Sequence, residues 1–226
     1  MEVIICDKGN LGIQAQNTYE SLTQCVGCDF WFVLLPTTKE ESDEAKKWSA
    51  NEARVIVCDV EYNEGGYLNR NRVYKLFPKQ EWFTRISPGV RITEDYFNYL
   101  RKHKKDPTVG AVGAVGYFIH GNWEGVLGNA VPPKHMAHTL DDYLWSWRAC
   151  DFRYEPPFNT MCYGYIDHQL HIHSLGRNCL TAPSSCIEHR PEEFSYDETE
   201  KMAIDFLAEK WKGKLDFLKV NEITGE

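Results

Sequence analysis

The sequence predicts a single α/β domain built on a mixed, mainly parallel sheet flanked by helices. Three observations carry this reading. Apolar runs of strand length recur along the chain, among them EVIIC at 2–6, DFWFVLL at 29–35 and RVIVC at 54–58. Stretches of helix length separate them, and apolar strands alternating with helices belong to a sheet covered on both faces. The 226 residues, 42% hydrophobic and 13% aromatic, suffice for one sizeable core, and no repeat, low-complexity tract or linker divides them. The domain is therefore read as residues 1–226, closing in a helix at about 196–211 and a tail at 212–226.

Residues 2–6 form a first strand, stopped by Asp7-Lys8-Gly9-Asn10, and residues 14–25 are helix-compatible. Residues 29–35 are a second strand, ended by Pro36. Residues 39–50, KEESDEAKKWSA, place acids ahead of lysines as on a solvated helix. A third strand at 54–58 leads into a loop at Asn63-Glu64-Gly65-Gly66 and a helix from Tyr67 to Phe77. Residues 81–86, EWFTRI, are a fourth strand, broken by Ser87-Pro88-Gly89. Thr93 then stands as the cap of a helix with acids in its first turn and lysines at its end. The run VGAVGAVGYFI at 109–119 lacks the GxGxxG and Walker spacings, so its glycines predict a strand under close backbone packing. Residues 120–139 read as an irregular loop over a site, and YLWSWR at 143–148 as a further strand. By parity Trp145 and Trp147 share one face of it.

Net charge is −8 and the pI about 5.5, which argues against a broad basic footprint for nucleic acid or an anionic membrane. The start MEVIICDKGN has no signal-peptide pattern, and no run approaches the roughly 18 apolar residues of a membrane span. The expectation is a soluble, cytoplasmic protein. Of the eight cysteines, Cys25 and Cys28 form a lone CxxC without a second pair, so buried thiols are expected rather than zinc or disulfides.

The segment Cys162–Pro191 carries the chemistry. Asp167 follows an aromatic, glycine-containing stretch, and His189 ends a strand-like run beyond it. A lone acid and a strand-end histidine suit a general base with a nearby metal or phosphate ligand. The spacing of His168, His171 and His173 does not set three ligands on one helix face, which favours ordinary surface and cleft histidines over a metal cluster.

In chain order stand VIICDKGN, then Asn63 to Asn71, then Ile86-Ser87-Pro88-Gly89-Val90-Arg91-Ile92 with a helix and DPTVGAVG behind it. After them come Leu140-Asp141-Asp142-Tyr143, Tyr163-Gly164-Tyr165-Ile166-Asp167-His168-Gln169-Leu170, and finally Ala182-Pro183 with Ile187-Glu188-His189. This order resembles the nucleotide-sugar glycosyltransferases of the GT-A fold, of the broad inverting family 2 type, from Val3 to about Trp211. The resemblance implies a Rossmann-like GT-A domain that moves a sugar from a nucleotide-sugar to an acceptor hydroxyl with inversion. It implies donor contacts from Cys6, Asp7, Lys8, Asn63, Arg70, Ser87 and Gly89, with Asp167 as the general base and His189 near a metal and the diphosphate. A positioned base contributes about 10²–10⁴-fold. Asp141 and Asp142 fall on the acceptor side, where they bind hydroxyls or stand in space for missing metal-binding acids. Trp123 is a stacking candidate for the acceptor.

The chain departs from the family pattern where the DxD acids belong: Ser87-Pro88-Gly89 carries no carboxylate. A divalent cation, Mn or Mg, is the cofactor the resemblance implies, and it wants hard oxygen ligands. The missing acid speaks against it and leaves Arg70, Arg72, Lys8 and His189 to neutralise a diphosphate. Acceptors of four kinds remain open: a glycan, a lipid-linked precursor, a protein or a modified nucleobase. Two rival readings also stand, a GT-A domain without activity that binds or scaffolds, and an unrelated α/β nucleotide-binding protein.

Overall fold

The computed structural model describes residues 1–7, 9–26, 29–58, 65–119, 130–156, 158, 163–189 and 199–218. Its centre is an eight-stranded sheet made of β1 (Glu2–Asp7), β2 (Phe30–Leu35), β3 (Val55–Val57), β4 (Trp82–Ile86), β6 (Val109–Gly113), β9 (Met136–Ala137), β11 (Leu144–Arg148) and β12 (Asn178–Thr181). The strand order is β3-β2-β1-β4-β11-β6-β12-β9. Strands β3, β2, β1 and β4 are parallel, as are β6 and β12. Strand β11 lies antiparallel between β4 and β6, and β9 is an antiparallel edge. The sheet is thus mixed and mainly parallel, as the sequence predicts.

Alternation along the strands splits the core into two layers. On one face Val3, Ile5, Phe83, Trp145 and Trp147 pack beneath α3 (Gly65–Leu76), α5 (Gly164–Ser174) and α6 (Thr199–Lys210). On the other, Ile4, Cys6, Phe32 and Ile86 pack beneath α1 (Ile13–Cys25), α2 (Lys39–Ser49) and α4 (Glu94–His103). The two tryptophans share a face, with ring centroids 4.4 Å apart, and belong to the core.

The glycine-rich run packs closely, as its spacing implies. A Cβ on Gly113 would come within 2.8 Å of Leu140, and one on Gly110 within 2.3 Å of Ile172 on α5. The run is not one strand, however: after β6 the chain turns and resumes as β7 (Gly116–Tyr117), which pairs with β8 (Ala130–Val131) and β10 (Thr139–Leu140). Part of the loop expected at 120–139 is therefore strand instead: β8, β9 and β10 pair with β7 and β12, with a turn at 132–135 between β8 and β9. Residues 120–129 lie outside the described residues.

Thr93 occupies the N-cap of α4, but its hydroxyl donates to the Ser185 carbonyl at 2.8 Å instead of capping. The bond ties α4 to the closing ribbon of β5 (Arg91–Ile92) and β13 (Ile187–His189). The six described cysteines are free thiols, and Cys28 and Cys162 lie outside the described residues.

Candidate active site

Four charged side chains meet at the carboxyl end of the sheet, on its α3 face. Asp7 ends β1 on the same face as Val3 and Ile5. Arg85 sits on β4 opposite Ile5. Arg70 comes down from α3. Asp142 arrives from the other direction: β11 runs antiparallel to β4 with Leu144 opposite Ile86, so the residues just before it reach the carboxyl ends of β1 and β4.

The contacts are close and almost fully buried. Arg70 donates to Asp7 through Nε at 2.6 Å and Nη2 at 3.1 Å, and to Asp142 through Nη1 at 3.0 Å and Nη2 at 3.1 Å. Arg85 Nε donates to Asp7 Oδ1 at 2.8 Å, and its Nη2 to the Asp7 carbonyl at 3.1 Å. Arg85 Nη1 donates to Ser87 Oγ at 2.6 Å and also to the Asp142 carbonyl. The Tyr67 hydroxyl and Trp145 Nε1 complete the Asp142 shell at 3.1 and 3.2 Å. The Arg70 guanidinium lies 4.7 Å from the Tyr67 ring centroid.

Burial alone would raise the Asp7 carboxyl, but Arg70 and Arg85 outweigh it and hold it below its ordinary value. Burial likewise opposes charge on Arg70 and Arg85, and Asp142 with Asp7 more than restores it. Among the described residues two guanidinium groups balance two carboxylates in this cluster.

Ser87-Pro88-Gly89 closes over this cluster. The Ser87 N–H donates to the Tyr143 carbonyl at 2.8 Å. Gly89 takes a φ of 84°, a conformation that favours glycine, and its N–H donates to Thr18 Oγ1 on α1 at 2.9 Å. The ribbon behind the turn pairs the backbones of Arg91 and His189, bringing the His189 strand beside it.

The structure thus gathers Asp7, Arg70, Ser87 and Asp142 in one place and sets Gly89 in the turn above them. Cys6 points the other way, into the α1-side core, where burial pushes its thiol up. Only its backbone can face a donor. Asp141 is half-buried next to Asp142, with its N–H donating to the Val115 carbonyl at 2.9 Å and the Tyr117 hydroxyl 3.5 Å from its carboxylate. Lys8, Asn63, Trp123 and the His189 side chain lie outside the described residues.

Asp167 lies in the first turn of α5, which begins against the Tyr67 ring. Its carboxylate is wholly buried and bonded by the end of α6: Lys210 Nζ at 2.8 Å on one oxygen and Trp211 Nε1 at 2.8 Å on the other. The three α5 histidines take separate partners. His168 stacks on Phe152 and bonds Tyr154, His171 meets Asp151, and His173 bonds the His138 carbonyl.

Sequence reasoning missed Arg85, Tyr67, Lys210 and Trp211. Arg85 left one signal, a charge inside the apolar strand WFTRI. The others left none, because their partners are remote in sequence.

The described residues do not fit a divalent cation at this turn. None of them form a group of three or more His, Cys, Asp or Glu side chains able to hold one. Ser87 Oγ faces a guanidinium, and both nearby carboxylates are taken by arginines.

Solved structures of similar architecture include two with bound nucleotide-sugars. A mannosyltransferase from Pyrobaculum calidifontis, solved with GDP-Man and Mn2+, matches at TM-score 0.63 and 12% identity over 84% of this chain and 57% of that one. The fold is GT-A-like. TarS from S. aureus with UDP-GlcNAc matches at TM-score 0.59 and 13% identity over 86% of this chain and 60% of that one. GalNAc-T7 with UDP, GalNAc and Mn2+ matches at TM-score 0.67 and 15% identity over 93% of this chain and 48% of that one. The GT-A-like chain thus spans between 48% and 60% of the length of these three structures. No family profile matches the sequence, and no curated protein does. Among the described residues no helix is long and apolar enough to cross a membrane.

Proposed function

We propose that this chain is a glycosyltransferase that takes a nucleotide-sugar at the carboxyl ends of β1 and β4 and passes the sugar to an acceptor hydroxyl. The observation that carries the reading is the Asp7–Arg70–Arg85–Asp142 cluster under the Ser87–Gly89 turn. It lies where parallel α/β sheets bind ligands, in a fold whose neighbours were solved with nucleotide-sugars. Groups fixed before the substrate arrives need no reorganisation when charge develops on the leaving diphosphate.

The transfer forms a bond from the acceptor oxygen to the anomeric carbon, breaks the bond to the diphosphate, and inverts the centre. The hydroxyl proton goes to a carboxylate, and the resemblance gives this role to Asp167. Lys210 and Trp211 cover both its oxygens, so acting as base requires the last turn of α6 to withdraw. Asp141 and Asp142 flank the acceptor's approach, and the acceptor belongs to one of four classes: glycan, lipid-linked precursor, protein or modified nucleobase.

The complete burial of Asp167 favours a second reading of this residue alone, as the anchor of α6. Nucleotide release from UDP- and GDP-sugars, compared between the parent and Asp167→Asn, separates the two. A base predicts a fall of about 10²–10⁴-fold with the fold intact. Undiminished release, with faster amide exchange in α6, makes Asp167 an anchor. Release from no sugar donor would remove the transferase reading.

A further inference from the structure

The turn that resembles a metal-binding acid pair is already furnished with a cation. Arg85 is buried, and four acceptors fix its guanidinium: Asp7 Oδ1 at 2.8 Å, the Asp7 carbonyl at 3.1 Å, Ser87 Oγ at 2.6 Å and the Asp142 carbonyl. We propose that this chain binds the diphosphate of its nucleotide donor without a divalent cation, the Arg85 guanidinium holding the place beside Ser87 that a metal would need. The proposal rests on the glycosyltransferase reading above.

Among the described residues three features oppose a metal at this position. A cation bound to Ser87 Oγ would lie about 2.0–2.6 Å from that oxygen, and therefore within about 5 Å of Arg85 Nη1, whose hydrogen bond already occupies that oxygen. The carboxylates that would serve as ligands are committed. Asp7 accepts three guanidinium bonds, and Asp142 accepts Arg70, Tyr67 and Trp145. Stripping arginines from buried carboxylates leaves buried cations unpaired, which costs more than a weak metal ligand set returns. The cation here is also built into the sheet, since Arg85 belongs to β4 and its hydrogen bonds reach β1 and Asp142, two residues before the start of β11.

The deciding experiment is calorimetric titration of the protein with UDP and with GDP, each in EDTA and in millimolar Mn2+. The proposal expects dissociation constants in the two buffers to agree within about threefold. Tightening beyond that in Mn2+ would overturn it while leaving the transferase reading intact. Binding of neither nucleotide in either buffer would remove the transferase reading and this proposal with it.

The variant Ser87→Asp tests the role of Arg85 separately. The new carboxylate is expected to be claimed by Arg85, so the response to Mn2+ stays within about threefold. A gain of about tenfold or more in Mn2+ would show that only the missing acid had excluded the metal, and would refute the part given to Arg85. A melting curve checks that the variant is folded, and the parent titration decides the main point without it.

Discussion

Removing Arg70 is the most informative single perturbation of the charged cluster. Arg70→Met keeps much of the side chain's volume but deletes four charge-assisted bonds, two to Asp7 and two to Asp142. Asp7 retains Arg85 at 2.8 Å, and Asp142 retains the donors Tyr67 and Trp145. Within the cluster one guanidinium then faces two carboxylates. Breaking a buried pair in this way costs about 3–5 kcal/mol. At about 2–4 °C per kcal/mol for a chain of this size, the melting temperature should fall by about 6–20 °C. Arg70→Lys keeps the charge but not the fork, and should fall between the parent and the Met variant.

The pH dependence of this loss has a defined direction. In the parent, the Asp7 carboxyl lies below its ordinary value, so its stabilisation is present above the unfolded pKa and fades as pH falls. In the variant, burial without Arg70 lifts the Asp7 carboxyl, so the penalty is greatest near neutrality and shrinks as acid protonates it. Thermal melts from pH 7 down to about 4 should therefore show the two proteins converging. A loss under about 3 °C at pH 7, or a gap that widens in acid, would refute the description of the cluster as a buried, mutually neutralising set.

Three further outcomes follow from the same structure. A Cβ on Gly164 would stand 2.9 Å from the Tyr67 ring, so Gly164→Ala should cost about 1–3 kcal/mol by denaturant melt and loosen the Tyr67–Asp142 bond. Burial pushes His173 down to about 4, so its contribution to stability is full above about pH 6.5 and is lost as pH falls to 4. His173→Gln should flatten that slope, which amounts to about 3 kcal/mol at about 1.4 kcal/mol per tenfold change in proton affinity. Lys210→Met removes the cation from the wholly buried Asp167 and should raise amide exchange across 199–211 more than in any strand of the sheet. Uniform exchange would mean that Asp167 does not hold α6.

Much of the fold was legible because its signals are local. Apolar strands of four to six residues, charged helices and punctuating glycines state their own structure, and the close packing of Gly110 and Gly113 followed from the absence of any phosphate-loop spacing. The antiparallel insertion of β11 was not legible, since strand direction depends on partners rather than on composition. That insertion carries Asp142 to the cluster. The cluster was half legible for the same reason. Asp7, Arg70, Ser87 and Asp142 could be named from the resemblance, but their partnership spans 57 to 78 residues of chain. Arg85 was passed over because a strand pattern treats a single charge as an edge residue, whereas here an aspartate on the neighbouring strand neutralises it. Asp167 shows the converse. Its aromatic, glycine-containing surroundings were readable, and its cover by Lys210 and Trp211 depended on how a later helix docks.

A structure of the protein crystallised with UDP-GlcNAc or GDP-Man tests the central claim most directly. The account predicts a diphosphate beside the Ser87–Gly89 turn, over the carboxyl ends of β1 and β4, with Arg70 and Arg85 still bonded to Asp7. A nucleotide bound at the opposite end of the sheet, or one that displaces Arg85 to admit a metal ion beside Ser87, would contradict it.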